Sequence, residues 1–388
     1  MLLRSSILGL FVALAAGDAI IPHAVGQYGV ATSQALLVDH SRKDPYAAEA
    51  GLDKDRELMV SAFYPTSLYK DCVKYRSPYM PSVSAEFYDT TYGALGIPNG
   101  TFASLTMEHC RQTNRGSIAG KTFPIALFSP GAGNSRLIYS AMAQSIASEG
   151  FVVIAIDHPY DADIVEFPDG STILAANMTT DEDFAHSVDV RAQDVSSVLD
   201  HLESESKWVS QLLPGISCNL NTSEPVVMFG HSLGGATAVA AAIADSRLTA
   251  AINLDGSMFG RALSEGSKVP MLLVAHDGKN ITTDPSWDAT WKATKHTPKL
   301  AVQILTTEHG SFTDFPMILD VVEGVPQSLR DQLVPFVGAL PGLVGRGIVS
   351  KLVGQFFEFA LGQSKSALPS LSRNDSDLVE VLGKHVKI

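Results

Sequence analysis

Gly230-His231-Ser232-Leu233-Gly234-Gly235 sits between two segments of different character. Pro225-Val226-Val227-Met228-Phe229 precedes it, a short apolar run that reads as a buried strand. Residues 236–244 follow it, an Ala-rich run that favours helix. Strand, G-x-S-x-G and helix in this order predict a nucleophile elbow, a sharp turn that lifts a serine hydroxyl clear of the strand end. Small residues flank the serine because the turn is tight. A side chain at the glycine positions would meet the neighbouring strand or helix, and the serine backbone itself is strained.

The same alternation continues on both sides of the elbow. Residues 30–38, 57–64, 123–129 and 151–156 read as strands, and 136–149 and 181–202 as helices. Val188, Val195, Val198 and Leu199 share one face of the second helix. Residues 250–254, 270–275 and 299–305 read as three further strands. Strands alternating with helices predict an α/β architecture, here the α/β-hydrolase fold, with a central, mostly parallel sheet flanked by helices. One domain over residues 20–388 is the simplest division. Residues 66–120 are rich in Ser, Thr, Tyr, Gly and Pro and are expected to be an irregular surface insertion. Residues 316–361 are apolar but broken by Pro335 and Pro341. They are expected to form a cap or flap over the site that touches acyl chains or lipid, with 348–361 a helix packed on the sheet.

The 388 residues include 45% apolar side chains, enough for a large core, and carry a formal net charge of −13. That charge argues against nucleic acid and against electrostatic docking on anionic lipid. Arg4 followed by the apolar run 7–16 and by Ala15, Ala16, Gly17 and Ala19 reads as a signal peptide over residues 1–19. No later segment reads as long and apolar enough to span a membrane. A secreted protein without a stable membrane anchor is therefore expected, and its oligomeric state is open. Asn99, Asn177, Asn221, Asn280 and Asn374 head N-glycosylation triplets, in keeping with that route. Cys72, Cys110 and Cys218 are the three cysteines. Cys72–Cys110 is the favoured disulfide because both lie in one insertion, though other pairings stay open.

Ser232 needs a base to take its proton. In this fold the triad runs Ser, acid, His along the chain. Four histidines follow Ser232: His276, His296, His309 and His385. His309 is the expected base because it sits in the loop just after the last predicted strand. His276 ends the preceding strand, His296 lies at the wrong end of the last one, and His385 is in the tail. Asp255 and Asp277 each end a strand, and either suits the acid that orients the imidazole. The commonest hydrolase arrangement favours the later, Asp277. Leu233, next to the nucleophile, and Ala132, in Pro130-Gly131-Ala132-Gly133, are expected to supply the backbone N–H donors of an oxyanion hole. Arg136 stands where a dinucleotide fingerprint wants its third glycine, and no H-E-x-x-H, paired C-x-x-C or Walker loop is present.

Several segments together resemble the platelet-activating-factor acetylhydrolase family, particularly its secreted fungal members. They are Glu57 to Pro65, Phe128 to Arg136 with Tyr139-Ser140, Gly150 to His158, the Gly-His-Ser-Leu-Gly-Gly elbow, Asn253 to Phe259 and His309 to Phe315, in the family's order. The resemblance implies a carboxylic ester hydrolase that needs no metal or cofactor, with the triad Ser232, Asp255 and His309. It moves the acid to Asp255, because the family's acid lies in a Leu-Asp segment followed by Met-Phe, and Asp277 becomes the second choice. Two departures stand out. Pro130 replaces a His often found before the oxyanion-loop glycine, and the chain beyond Phe315 matches poorly. The expected partner is a small-molecule or lipid ester, including phospholipid-acetyl types. A lactonase, amidase or acyltransferase on a specialised metabolite is an alternative, as is a lipid-binding protein without turnover.

Overall fold

The computed structural model describes residues 19–385, apart from residue 25 and the segments 113–117 and 217–224. The chain enters through β1 (Ile20–Ile21) and two long strands, β2 (Tyr28–Lys43) and β3 (Asp55–Leu68). It leaves the main sheet for β4 (Lys74–Pro78), the helix Ser82–Gly93 and β5 (Thr106–Cys110). β6 (Ile125–Ser129) and β7 (Val152–Ile156) return to it. A small hairpin, β8 (Ile164–Glu166) and β9 (Thr172–Leu174), precedes the long helix Asp181–Ser204. β10 (Val226–His231), β11 (Leu248–Leu254), β12 (Met271–Ala275) and β13 (Lys299–Ile304) follow, and β14 (Val379–His385) comes last.

Nine of these strands form one sheet in the order β14-β13-β12-β11-β10-β6-β7-β3-β2. The six central strands run parallel, and β3, β2 and β14 join antiparallel at the edges. The central runs are apolar on both sides because helices cover both faces. One face packs Ile138, Ile146, Ile348, Leu352 and Phe356 against Phe128, Phe229 and Ile252. The other packs Val188, Val195, Val198, Ala236 and Val239 against Leu127, Ile154, Met228 and Leu273. The helices responsible are Ser140–Ser148 and Gly342–Ala360 on the first face, and Asp181–Ser204 and Leu233–Ala244 on the second.

Residues 66–120 differ from the irregular insertion expected. They hold the helices Ser82–Gly93 and Thr101–Ser104, a 3-10 turn and the strands β4 and β5, and β1, β5 and β4 form a second small sheet. Cys72 and Cys110 are disulfide-bonded across it. These contacts join segments far apart in the chain, so no local periodicity announced them. β14 went unread for the same reason, since its partner is β13. A second correction concerns residues 327–360, which hold an 18-residue window of mean hydropathy 1.5, apolar enough by composition to cross a membrane, although no such later segment was expected. The stretch is two helices, Gln327–Val337 and Gly342–Ala360, broken between Val337 and Gly342. The second of them buries Ile348, Leu352, Val353, Phe356 and Phe357 in the core.

The leader expectation on residues 1–18, with Asn221 and Cys218, lies outside the described residues. Asn99, Asn177 and Asn374 are exposed and Asn280 is half-buried.

Candidate active site

The elbow shows its strain directly. Ser232 has φ 54° and ψ −125°, a region that side chains other than glycine seldom adopt. Its N–H donates to the carbonyl of Leu254 at 2.9 Å, which ties the turn to β11. The small neighbours are required by contact. A Cβ on Gly230 would lie 2.2 Å from the carbonyl oxygen of Gly234, and one on Gly234 would lie 1.9 Å from that of Ser129. Ser232 thus follows β10 directly, at the carboxyl edge of the parallel sheet where open α/β sheets bind ligands.

Asp255 directly follows the adjacent strand β11, with its backbone also at positive φ, 59°. Nδ1 of His309 lies 2.6 Å from its Oδ2. His309 opens a short 3-10 turn after β13, capped by Glu308 and Ser311. With Nδ1 on the carboxylate, Nε2 is left for another partner. Burial pushes the Asp255 carboxyl up, but hydrogen bonds from His276 and His309 and the charge of Lys279 hold it well below the usual carboxylate range. Asp255 is therefore ionised at neutral pH, as a partner for a developing imidazolium must be. Asp277 lies elsewhere in the network, accepting the Thr306 N–H at 3.0 Å.

Two contacts were not foreseen. His276 Nδ1 is 2.8 Å from both Asp255 oxygens. His231, inside the elbow motif, links the two loops that frame the serine. Its Nε2–H donates to the His309 carbonyl at 3.0 Å, so its Nδ1 must accept. The Tyr139 hydroxyl donates to that Nδ1 at 2.8 Å and accepts the Gly131 N–H at 3.1 Å. Burial, helped by the positive charge His309 can carry, pushes the His231 pKa well down and keeps this ring neutral. Gly131 N–H is thus occupied, which leaves Ala132 and Leu233 as the candidate donors. Leu233 heads the helix Leu233–Ala244, where the dipole favours negative charge.

A buried Ser-His-Asp string of hydrogen bonds lies elsewhere in the core. Ser129 Oγ is 2.9 Å from His158 Nε2, and His158 Nδ1 is 2.9 Å from Asp194. All three side chains are buried, and Asp194 is also bound by Arg56 and Arg42. With no solvent access this string is a brace. The helix Gln327–Val337 packs over the His309 turn, where the Ser311 hydroxyl donates to the Val337 carbonyl at 2.7 Å. Beside it is an apolar cavity of about 330 Å³ lined by Tyr92, Ile97, Phe102, Phe315, Leu333 and Phe336.

Residues 21–333 match the family described as platelet-activating factor acetylhydrolase, isoform II. The chain belongs to this family. It is 31% identical over 389 residues to a probable 1-alkyl-2-acetylglycerophosphocholine esterase of Arthroderma benhamiae, covering 93% of this chain and 94% of that protein. The platelet-activating factor acetylhydrolase of Cavia porcellus is 28% identical over 276 residues, 64% of this chain and 59% of that protein. Among solved structures, the ferulic acid esterase from Streptomyces cinnamoneus superposes with a TM-score of 0.73 at 27% identity, covering 94% of this chain and all of that one. The fold is the α/β-hydrolase fold, and the chain is a carboxylic ester hydrolase.

Proposed function

We propose that this hydrolase is a secreted serine esterase that works through an acyl-enzyme on Ser232. The observation that carries this reading is the 2.6 Å hydrogen bond from His309 to Asp255 at the edge of the sheet where the strained Ser232 stands. His309 Nε2 takes the serine proton as Oγ attacks the acyl carbon, and Asp255 stabilises the imidazolium. The N–H groups of Ala132 and Leu233 bind the oxyanion of the tetrahedral intermediate. The intermediate collapses, the C–O bond to the alcohol breaks, and His309 returns its proton to the departing oxygen. Water then enters, loses a proton to His309 and attacks the acyl carbon. The second intermediate releases the carboxylic acid and the free serine.

The substrate class follows the relative of Arthroderma benhamiae, which is named as a probable esterase of an acetylated glycerophosphocholine. A short acyl group on a lipid alcohol is the proposed substrate. The apolar cavity beside the His309 turn and the half-exposed Phe336 above it support contact of the 316–361 segment with the lipid chain. The secretory leader read at residues 1–19 and the disulfide support export.

Turnover of p-nitrophenyl esters from acetyl to palmitoyl, for wild type and Ser232→Ala, tests the reading. Activity lost in the variant with a short-chain optimum supports it, whereas activity retained by Ser232→Ala removes the serine mechanism. Deleting residues 324–346 tests the lipid contact: an equal fall on short and long chains speaks against it.

A further inference from the structure

The helix Asp181–Ser204 turns an apolar stripe to the sheet, and Arg191 stands on that stripe between Val188 and Val195. It is 1% exposed. A guanidinium so buried must direct its N–H groups at fixed acceptors. Nε donates to Asp161 at 2.8 Å, and Nη2 completes the ion pair. The remaining bonds go to the loop after β6. Nη1 donates to the Pro130 carbonyl at 2.6 Å and reaches the Ser129 hydroxyl at 3.3 Å, while Nη2 donates to the Gly131 carbonyl at 3.3 Å.

Those two carbonyls belong to successive peptide units. A trans peptide is planar, with its C=O and N–H pointing to opposite sides. The Pro130–Gly131 unit is held at both ends, by Arg191 on its carbonyl and by Tyr139 on its N–H. The Gly131–Ala132 unit is held by its carbonyl. Its N–H, that of Ala132, has no acceptor among the described residues and points away from the guanidinium. Ser232 is close by, with its Cβ 3.2 Å from where a Gly131 side chain would begin. Asp161 ties down the far end of the loop as well, since its carbonyl accepts the Gly133 N–H at 3.1 Å.

We propose that Arg191, braced by Asp161, is a positioning residue of the oxyanion hole, setting the Gly131–Ala132 peptide so that the Ala132 N–H faces the developing negative charge. The inference rests on the Ser232 acyl-enzyme reading. A planar fork is needed, because one group must meet two carbonyls and a carboxylate at once. Lysine keeps the charge but supplies a single point of contact, so Arg191→Lys separates geometry from charge.

The test uses the full chain with p-nitrophenyl acetate as substrate and an alkyl trifluoromethyl ketone, whose hemiketal with serine carries the same oxyanion. Arg191→Lys is expected to lower kcat on the order of 10- to 100-fold with KM little changed, and to weaken the ketone by a similar factor. Asp161→Asn should do the same to a smaller degree, and carries the test where Arg191→Lys fails to fold. Thermal unfolding corrects each value for folded protein. A fall in kcat with unchanged ketone affinity would mean a general structural role and overturns the inference, as does unchanged kcat. Wild type without Ser232-dependent turnover would instead overturn the esterase reading, and this inference with it.

Discussion

His276 and His309 stand on the same carboxylate. Nδ1 of His276 is 2.8 Å from both oxygens of Asp255, and Nδ1 of His309 is 2.6 Å from one of them. Either ring satisfies the acid–base contact of a triad. Position separates them. The His309 ring lies 4.6 Å from that of His231, the immediate neighbour of Ser232. We expect His309→Ala to lower kcat/KM on the order of 10⁴-fold and His276→Ala about tenfold or less. Steady-state kinetics on a short ester decide between them, and the reverse order would make His276 the base.

The His276–Asp255 contact also predicts a pH dependence of stability. The hydrogen bond that His276 donates to Asp255 raises the His276 pKa above its ordinary 6.5. A raised pKa contributes stability that is fully present below 6.5 and is lost as pH rises through the higher folded value. Asp255 is shifted the other way from 3.8, so its share is present above that value and fades at lower pH. The difference in Tm between wild type and His276→Gln should therefore be greatest between these two values and shrink above 6.5. Calorimetry across pH checks this, and a difference that widens with pH would contradict it.

Asp277 offers a control for the acid. Its side chain accepts the Thr306 N–H in an exposed turn and meets no histidine among the described residues. Asp277→Asn should change kcat by about twofold or less, the size expected for a surface substitution. Asp255→Asn should lose on the order of 10⁴-fold, since it favours the wrong tautomer of His309. Equal losses in the two variants would return the acid to an open question.

The disulfide joins residues 38 apart in sequence. Closing a loop of that length stabilises by roughly 2–4 kcal/mol through the unfolded chain. The double variant Cys72→Ser and Cys110→Ser should therefore unfold at lower denaturant. It should keep its kcat per folded molecule, because Ser232, Asp255 and His309 follow strands of the other sheet. Urea unfolding beside active-site titration with an organophosphonate measures both.

How far the chain could be read follows from the range of each signal. The elbow is a local matter. Its glycines and strand–helix flanks lie within about twenty residues, and contacts such as Gly234 against Ser129 explain why no larger side chain fits. The parallel strands were equally open to reading, because apolar runs buried on both faces carry their own signature. Arg191 left a trace that went unused. A charged residue on an apolar helical stripe implies a buried partner, but nothing local says that the partner is a loop 60 residues earlier.

The sequence by itself determined the residue types, the order of the elements and the strained turn that presents Ser232, since each depends on sterics and periodicity within one or two elements. Which residues meet was left to the tertiary structure. Asp255 and His309 are 54 positions apart, and Asp255 and His276 are 21 apart. They converge because β11, β12 and β13 lie side by side and end at the same edge. Pairing across a sheet is set by strand order and register, which are properties of the whole packed chain and of no single segment of it.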